Sequence, residues 1–351
     1  MLKEHNLISL GILQRILMSD LVLQQSIKDE FAKDSFAWFK GERHGHMEKW
    51  QYLEPEYEND PVQASLLWDR WENSVGDDNM LARQGQIIRD QAQDIAALTA
   101  PRRSLIDLGP GGINAVDRNT VPLIEAYKTI QSYTAIDIAQ EAADNACSRI
   151  TKLFNMRTLP LYGDFLDLHR IEERGHCVAL IMGGTIGNIE AEQNTSQAIE
   201  LMAQRITNLR QVLPAGTVLL IGLEATQDSK LLYGDYDYPA HAEFEINIMH
   251  GIKRDVLADQ DGFDPYAWKY AMKWWPQAYQ FCHLAEATED QNFKMYGKML
   301  HIKKGQQLVI DNSFKFPVLA MQRSAQLAKT EYLKPFLDVD KRMVVHALKL
   351  S

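Results

Sequence analysis

The sequence predicts an α/β fold: an open, mostly parallel sheet with helices on both faces, ending in an antiparallel hairpin. Three observations carry this reading. Ser104-Leu-Ile-Asp-Leu-Gly-Pro-Gly-Gly112 is an apolar run that ends in an acid and then glycines, the way a parallel strand hands the chain to a helix N-terminus. Between about 101 and 225, short apolar runs alternate with helical segments, as βαβ units do. Finally, Tyr332–Leu337 and Met343–Leu350 flank the turn Asp338-Val-Asp-Lys-Arg342.

Residues 1 to about 100 read as a helical region that contributes to a substrate lobe. Leu10, Leu13, Leu17 and Leu21 follow helical spacing, and Trp68, Trp71 and the Met80 to Leu98 stretch supply further apolar faces. Arg15 and Asp20 interrupt the first apolar stretch and no small-residue cleavage site follows, so it reads as a packed helix and not an export signal.

Residues 101–228 form the predicted cofactor-binding core, with strands near Ser104–Leu108, Tyr133–Asp137, Cys177–Met182 and Thr217–Leu223. Met202, Ile206, Leu209 and Leu213 mark the helix before the last of these, and Pro214-Ala-Gly216 stops it. From 229 to 316 the composition turns aromatic and the alternation is lost, which reads as an inserted lobe. That lobe is expected to close with a hairpin, Met295–Ile302 and Gln306–Ser313 around Lys303-Lys-Gly305. A helix from about Pro317 to Lys329 returns the chain to the sheet, and residues 317–351 complete it.

At 351 residues the chain is long enough for a core and a second lobe. Lys and Arg number 37 against 47 Asp and Glu, a net charge of −10, and no basic block resembles a phosphate-binding stripe. Nucleic acid is therefore not an expected partner, and no apolar run suggests a membrane span. Cys147, Cys177 and Cys282 are too few and too scattered for disulfides or a metal site, which fits a reducing cytoplasm.

Four strand ends make the candidate site. Gly109, Gly111 and Gly112 let backbone approach a ligand, and open helix-terminal N–H groups favour its anionic oxygens. A dinucleotide fingerprint wants a sixth-place glycine where this chain has Asn114, which disfavours a nicotinamide or flavin. Asp137 is placed to accept ribose hydroxyls, with a helix cap as its plain alternative. Asp164 and Phe165 can read an adenine, or be a turn acid and a core ring. His44 and His46 lack further ligands at useful spacing and read as a surface loop. Trp274 and Trp275 fit a core better than an aromatic cage.

With these motifs in order, the chain resembles class I S-adenosylmethionine-dependent methyltransferases, whose Rossmann-like sheet ends in an antiparallel hairpin. Gly183-Gly-Thr-Ile-Gly-Asn188, Asp235-Tyr-Asp237 and Asp311-Asn-Ser-Phe-Lys-Phe316 are similar to the histidine-specific N-methyltransferases of ergothioneine biosynthesis, over about residues 101 to 351. The resemblance implies S-adenosyl-L-methionine as cofactor, held by Asp107, Gly109 and Gly111 at its methionine end, by Asp137 at the ribose and by Asp164 and Phe165 at the adenine. It implies a small amino-acid substrate fastened by Asn188 and Tyr236, with Asp311 and Ser313 at its far end. Asp311 is one methylene shorter than the family's Glu, and only Tyr52 and Tyr57 lie near the place of its N-terminal tyrosine. Two further readings follow from those departures: methylation of another small biosynthetic metabolite, or a cofactor-binding protein without turnover.

Overall fold

Twelve strands order the chain in the computed structural model, which describes residues 28–52, 64–76, 78–99, 101–166, 171, 176–258 and 262–350. They are β1 (Ser104–Leu108), β2 (Ser132–Asp137), β3 (Arg157–Tyr162), β4 (Cys177–Ile181), β5 (Val218–Glu224) and β6 (Trp268–Trp275). There follow β7 (Gln280–Ala287), β8 (Gln291–Met295), β9 (Lys298–Ile302), β10 (Gln307–Phe314), β11 (Glu331–Leu337) and β12 (Met343–Lys349). Leu10, Leu13, Leu17, Leu21 and Tyr57 lie outside the described residues.

The main sheet runs β11-β12-β5-β4-β1-β2-β3, with β1 to β5 parallel and β12 antiparallel to both β5 and β11. This is the open α/β sheet and terminal hairpin that the sequence predicts. Strands β1, β4 and β5 are buried along their whole length, so each carries apolar residues on both faces. Leu105, Val178 and Leu220 face Ile87, Ile88 and Ile95 of the helix Met80–Thr99. Ile106, Ala179 and Ile221 face Met202, Ile206 and Leu209 of the helix Ala198–Val212. Strand β3 ends the sheet, as befits a strand that contains Pro160 and alternates in exposure.

The strand order reverses between β1 and β4, since β2 and β3 lie to one side of β1 and β4 and β5 to the other. A crevice opens at such a point beyond the carboxyl ends of the strands. The glycine turns 109–112 and 183–184 both stand there.

Two helices, Ser229–Tyr236 and Pro239–Gly251, lead from β5 to a smaller antiparallel sheet of order β10-β7-β6. Phe31, Trp38, Phe39, Met47 and Trp50 bring residues 28–52 into the core of this sheet, and the Trp38 indole donates to the Val309 carbonyl at 2.6 Å. The expected hairpin around Lys303-Lys-Gly305 is not formed. Strand β9 pairs with β8 across Tyr296 and Gly297, whereas β10 pairs with β7. Tyr296 at φ 50° and Gly297 at φ 72° supply the two left-handed residues that a tight two-residue hairpin turn needs. A short apolar run names a strand but not its partner.

Trp274 and Trp275 are half-buried on β6. Successive strand residues point to opposite faces, so the pair does not wall one cage, and Lys273 already lies 4.2 Å from the centre of the Trp275 ring.

The two sheets meet where the turn Thr185–Gly187 touches β10. Asn188 and Ser313 form an antiparallel bridge there. A Cβ on Gly187 would stand 2.9 Å from the Phe314 carbonyl oxygen and 3.2 Å from Leu223, and the first of these is backbone that cannot step aside. Gly187→Ala is therefore expected to cost about 1–3 kcal/mol of stability by overpacking, read as a lowered urea midpoint at constant slope.

Candidate active site

Gly109 and Gly111 have φ values of 75° and 67°, a conformation glycine adopts without strain. The Gly109 N–H donates to the Ile136 carbonyl at 2.8 Å, which ties the turn to the end of β2. There the Asp137 carboxylate accepts the Ala139 N–H at 2.9 Å and lies within reach of the Gly111 and Ile138 N–H groups. Burial raises Asp137 to about 6 against the pull of those donors. The glycine turn and Asp137 are thus in direct contact, whereas the plain alternative is not realised: the N-cap of the following helix is Ala139, with no side-chain cap bond.

Asp107 lies deeper. Its Oδ2 accepts from Thr120 at 2.6 Å and from the Tyr133 hydroxyl at 3.1 Å, and burial raises it to about 6. The Val116–Thr120 stretch that supplies Thr120 is wound as a wide π turn just before Pro122, which has no N–H to continue an α-helical ladder. A Cβ placed on Gly109 would meet Phe165 Cε1 at 3.9 Å and Thr185 Cγ2 at 3.8 Å. Phe165 therefore flanks the turn. The Gly109 turn also adjoins the turn that ends in Asn188.

Beyond Asn188 the acceptor candidates gather around a residue that sequence reading missed. Lys315, 2 % exposed, donates to the Ser313 hydroxyl at 2.8 Å, to the Tyr236 hydroxyl at 2.6 Å and to the Glu224 carboxylate. Tyr236 donates in turn to Glu224 at 3.2 Å. Burial first, and then the Glu224 charge, push the Tyr236 phenol well above its usual range, so it keeps its proton. Ser313 and Tyr236 are joined through one cation, and Asn188 bridges to Ser313. Asp311 lies two residues back on β10, on the same face as Ser313.

Asp164 is placed against the N-terminal segment. Its Oδ1 accepts the Leu166 N–H at 2.9 Å, and its Oδ2 stands 3.6 Å from His46 Nε2. The other His46 nitrogen is 3.0 Å from Glu48, and Arg205 faces Glu48, Asp164 and Asp311. His46, read from sequence as a surface loop, is thus an ion-pair partner of a candidate cofactor residue. Burial works against its charge, yet Glu48 and Asp164 raise the imidazole to about 9.

A histidine raised in the folded state stabilises fully below its unfolded value of 6.5, and that contribution is lost as pH rises through about 9. The unfolding free energy read from urea titration should fall between those values, by an amount on the order of 3 kcal/mol, and His46→Gln should flatten this slope.

The Glu224 signal was present in the sequence: an acid closes the apolar strand β5 just as Asp107 and Asp137 close β1 and β2. Lys315, set between Phe314 and Phe316, was equally visible as a cation in an apolar run that needed a partner.

Known proteins resemble the chain over much of its length. The N-methyltransferase fsqC of Aspergillus fumigatus is 21% identical over 245 residues, 67% of this chain and 63% of its own length. The 4-dimethylallyltryptophan N-methyltransferase easF of Arthroderma benhamiae is 24% identical over 206 residues, 54% of this chain and 57% of its own. The chain thus spans less than two thirds of either fungal relative. Protein y4iF of Sinorhizobium fredii is 24% identical over 230 residues, 64% of this chain and 73% of that one. A solved S-adenosylmethionine-dependent methyltransferase from Clostridium acetobutylicum aligns with 82% of this chain and 97% of its own, at 8% identity and a TM-score of 0.42. Residues 82–350 match the family described as histidine-specific methyltransferase, SAM-dependent, and the chain belongs to that family of S-adenosylmethionine-dependent methyltransferases.

Proposed function

We propose that the chain methylates the α-amino group of histidine or a related small amino acid. The observation that carries this is the continuity of the two candidate half-sites: the Gly109 turn adjoins Thr185, and three residues on Asn188 bridges to Ser313. A donor held on the glycine turn and an acceptor held by Asn188 and Tyr236 would be neighbours.

Two glycines of positive φ and a half-buried carboxylate within reach of the turn's own N–H fit an adenosyl ligand. In this reading Asp137 takes the ribose hydroxyls, Phe165 packs on the base and Asp107 with Gly109 and Gly111 holds the methionine end. S-adenosylmethionine supplies the methyl group from its sulfonium. The residues of the chain hold the amine in line and shield it from water, an effect that can contribute about 7–11 kcal/mol through proximity alone.

An amine must lose its proton to attack, and burial favours the neutral form. Neither Asn188 nor the protonated Tyr236 is a base; they orient the lone pair. Asp311 is held well above the usual carboxylate range by burial and by Glu48 and Glu245, so it serves as a binding group at the far end of the substrate.

A second reading keeps the donor and changes the acceptor to another small biosynthetic metabolite. The names of the fungal relatives favour it, since one is a 4-dimethylallyltryptophan N-methyltransferase. Incubation of purified protein with S-adenosylmethionine and a panel of free amino acids, followed by mass spectrometry, decides between them. A product heavier by one methyl on its α-nitrogen is the expected result. Binding of S-adenosylhomocysteine with no amino acid methylated would remove the α-amine reading.

No helix among the described residues is long and apolar enough to cross a membrane. The three cysteines are buried free thiols, which supports a reducing cytoplasm as the place of action.

A further inference from the structure

Beside Tyr236 lies a second group of buried polar side chains that neither the cofactor nor the α-amine uses. His241 and Glu245 stand one turn apart on the helix Pro239–Gly251, with His241 Nε2 3.4 Å from Glu245 Oε1. His283 on β7 places Nδ1 3.7 Å from the same oxygen, and the Tyr270 hydroxyl is 2.6 Å from that nitrogen. The rings of His241 and His283 pack on Tyr236 at centroid distances of 5.1 and 4.8 Å. Asp311 pairs in register with His283, and Glu48 faces both Asp311 and Glu245.

Three observations say that this group is built to receive something. Glu48, His241 and Glu245 are 7 %, 3 % and 4 % exposed; Glu48 Oε2 and His241 Nδ1 have no hydrogen-bond partner among the described residues, and Glu245 Oε2 has none beyond the approach of the Gln51 amide to its carboxyl. A buried polar atom left unpaired forfeits the bonds it had to water, so several in one place call for a ligand. The acids also outnumber the cations. Glu48, Asp164, Glu245 and Asp311 share the region with His46 and Arg205, while the nearby Lys315 is committed to Glu224, and the two acids left without a cation, Glu245 and Asp311, keep their protons. Both histidines are held below their usual range, by burial first and then by Lys315 or each other, and add no positive charge. Lastly, Glu245 is raised to about 8 by burial and by Glu48, the condition of an acid waiting for a counter-charge.

We propose that the acceptor is a basic amino acid whose side-chain ammonium or guanidinium, permanently charged at neutral pH, is received between Glu245 and Asp311 beside Tyr236. This rests on the α-amine reading of the same site and narrows it. His241 and Tyr270 then complete the donor and acceptor pattern around the cation, and the Tyr236 ring forms one wall. Seating the cation ionises an acid that was protonated, so binding releases a proton.

The test titrates protein preloaded with S-adenosylhomocysteine by calorimetry with L-lysine, L-ornithine and L-arginine, and with the neutral partners L-norleucine and L-citrulline and the mostly neutral L-histidine. At least one basic amino acid should bind about tenfold or more tighter than its neutral partner and than histidine, as a charge-assisted contact predicts. The heats should differ between buffers of unlike ionisation enthalpy, in proportion to about one proton released. Glu245→Gln, with its fold checked by thermal melting and by unchanged S-adenosylhomocysteine affinity, should erase the preference. Asp311→Asn serves the same end if the first variant does not fold.

Equal affinity for lysine and norleucine, and for arginine and citrulline, would overturn the proposal while leaving methyl transfer to neutral amino acids intact. If no amino acid binds, the α-amine reading falls and this one with it. Zinc binding one to one to the dialysed protein, lost in Glu245→Gln, would also overturn it, because the counter-charge would then be a metal ion.

Discussion

Lys315→Met is expected to lower the stability of the folded chain by about 3–5 kcal/mol, the range for breaking a buried ion pair from one side. The side chain keeps its length but loses the charge, and Glu224, 3 % exposed, is left with the Tyr236 hydroxyl and the neighbouring acid Asp235 and no cation. With total stabilities of about 5–15 kcal/mol, this approaches the margin of the fold. Urea unfolding checks it. Adding Glu224→Gln should return a large part of the loss, because the double replacement leaves no unpaired charge. Turnover should not return with it. Ser313 and Tyr236 reach each other through the ammonium, so a stable double variant with wild-type turnover would show that the contact is structural only.

The second large effect lies on the cofactor side. Asp137→Asn is expected to weaken S-adenosylhomocysteine binding about 10–100-fold, the equivalent of about 1.5–3 kcal/mol for hydrogen bonds to a charged acceptor. Asp137 is raised to about 6, and the ionised carboxylate accepts hydroxyls on both oxygens and as a charged acceptor, which the protonated acid does not. Affinity should therefore hold above that value and fall as pH drops through it. Asp107 titrates in the same window, so the difference between wild type and Asp137→Asn is the informative curve. Parallel curves would mean that Asp137 serves only to order the backbone of the glycine turn and the Ala139 N–H.

What could be read from the sequence follows from which interactions are local. The strand runs β1, β2, β4 and β5 announced themselves because buried parallel strands are continuously apolar, and the glycine turn because positive φ selects for glycine. The family emerged from short motifs whose residues are also close in space. Misreadings came from pairings distant along the chain. Strands β9 and β10 adjoin in sequence, yet their partners are β8 and β7. His46 meets Asp164 across more than one hundred residues, and nothing near His46 foretells it. Lys315 and Glu224 were each visible as misplaced charges in apolar surroundings. Their common explanation needed three dimensions.

The Glu224–Lys315 contact joins residues 91 apart, one at the end of β5 and the other just after β10. It therefore fastens the two feet of the excursion that holds both helices and the smaller sheet. Fastening a long loop at its base removes conformational freedom from every partly unfolded form in which that base would gape. The whole excursion should accordingly exchange its amide hydrogens as one cooperative unit, with protection that collapses together when the neck is cut.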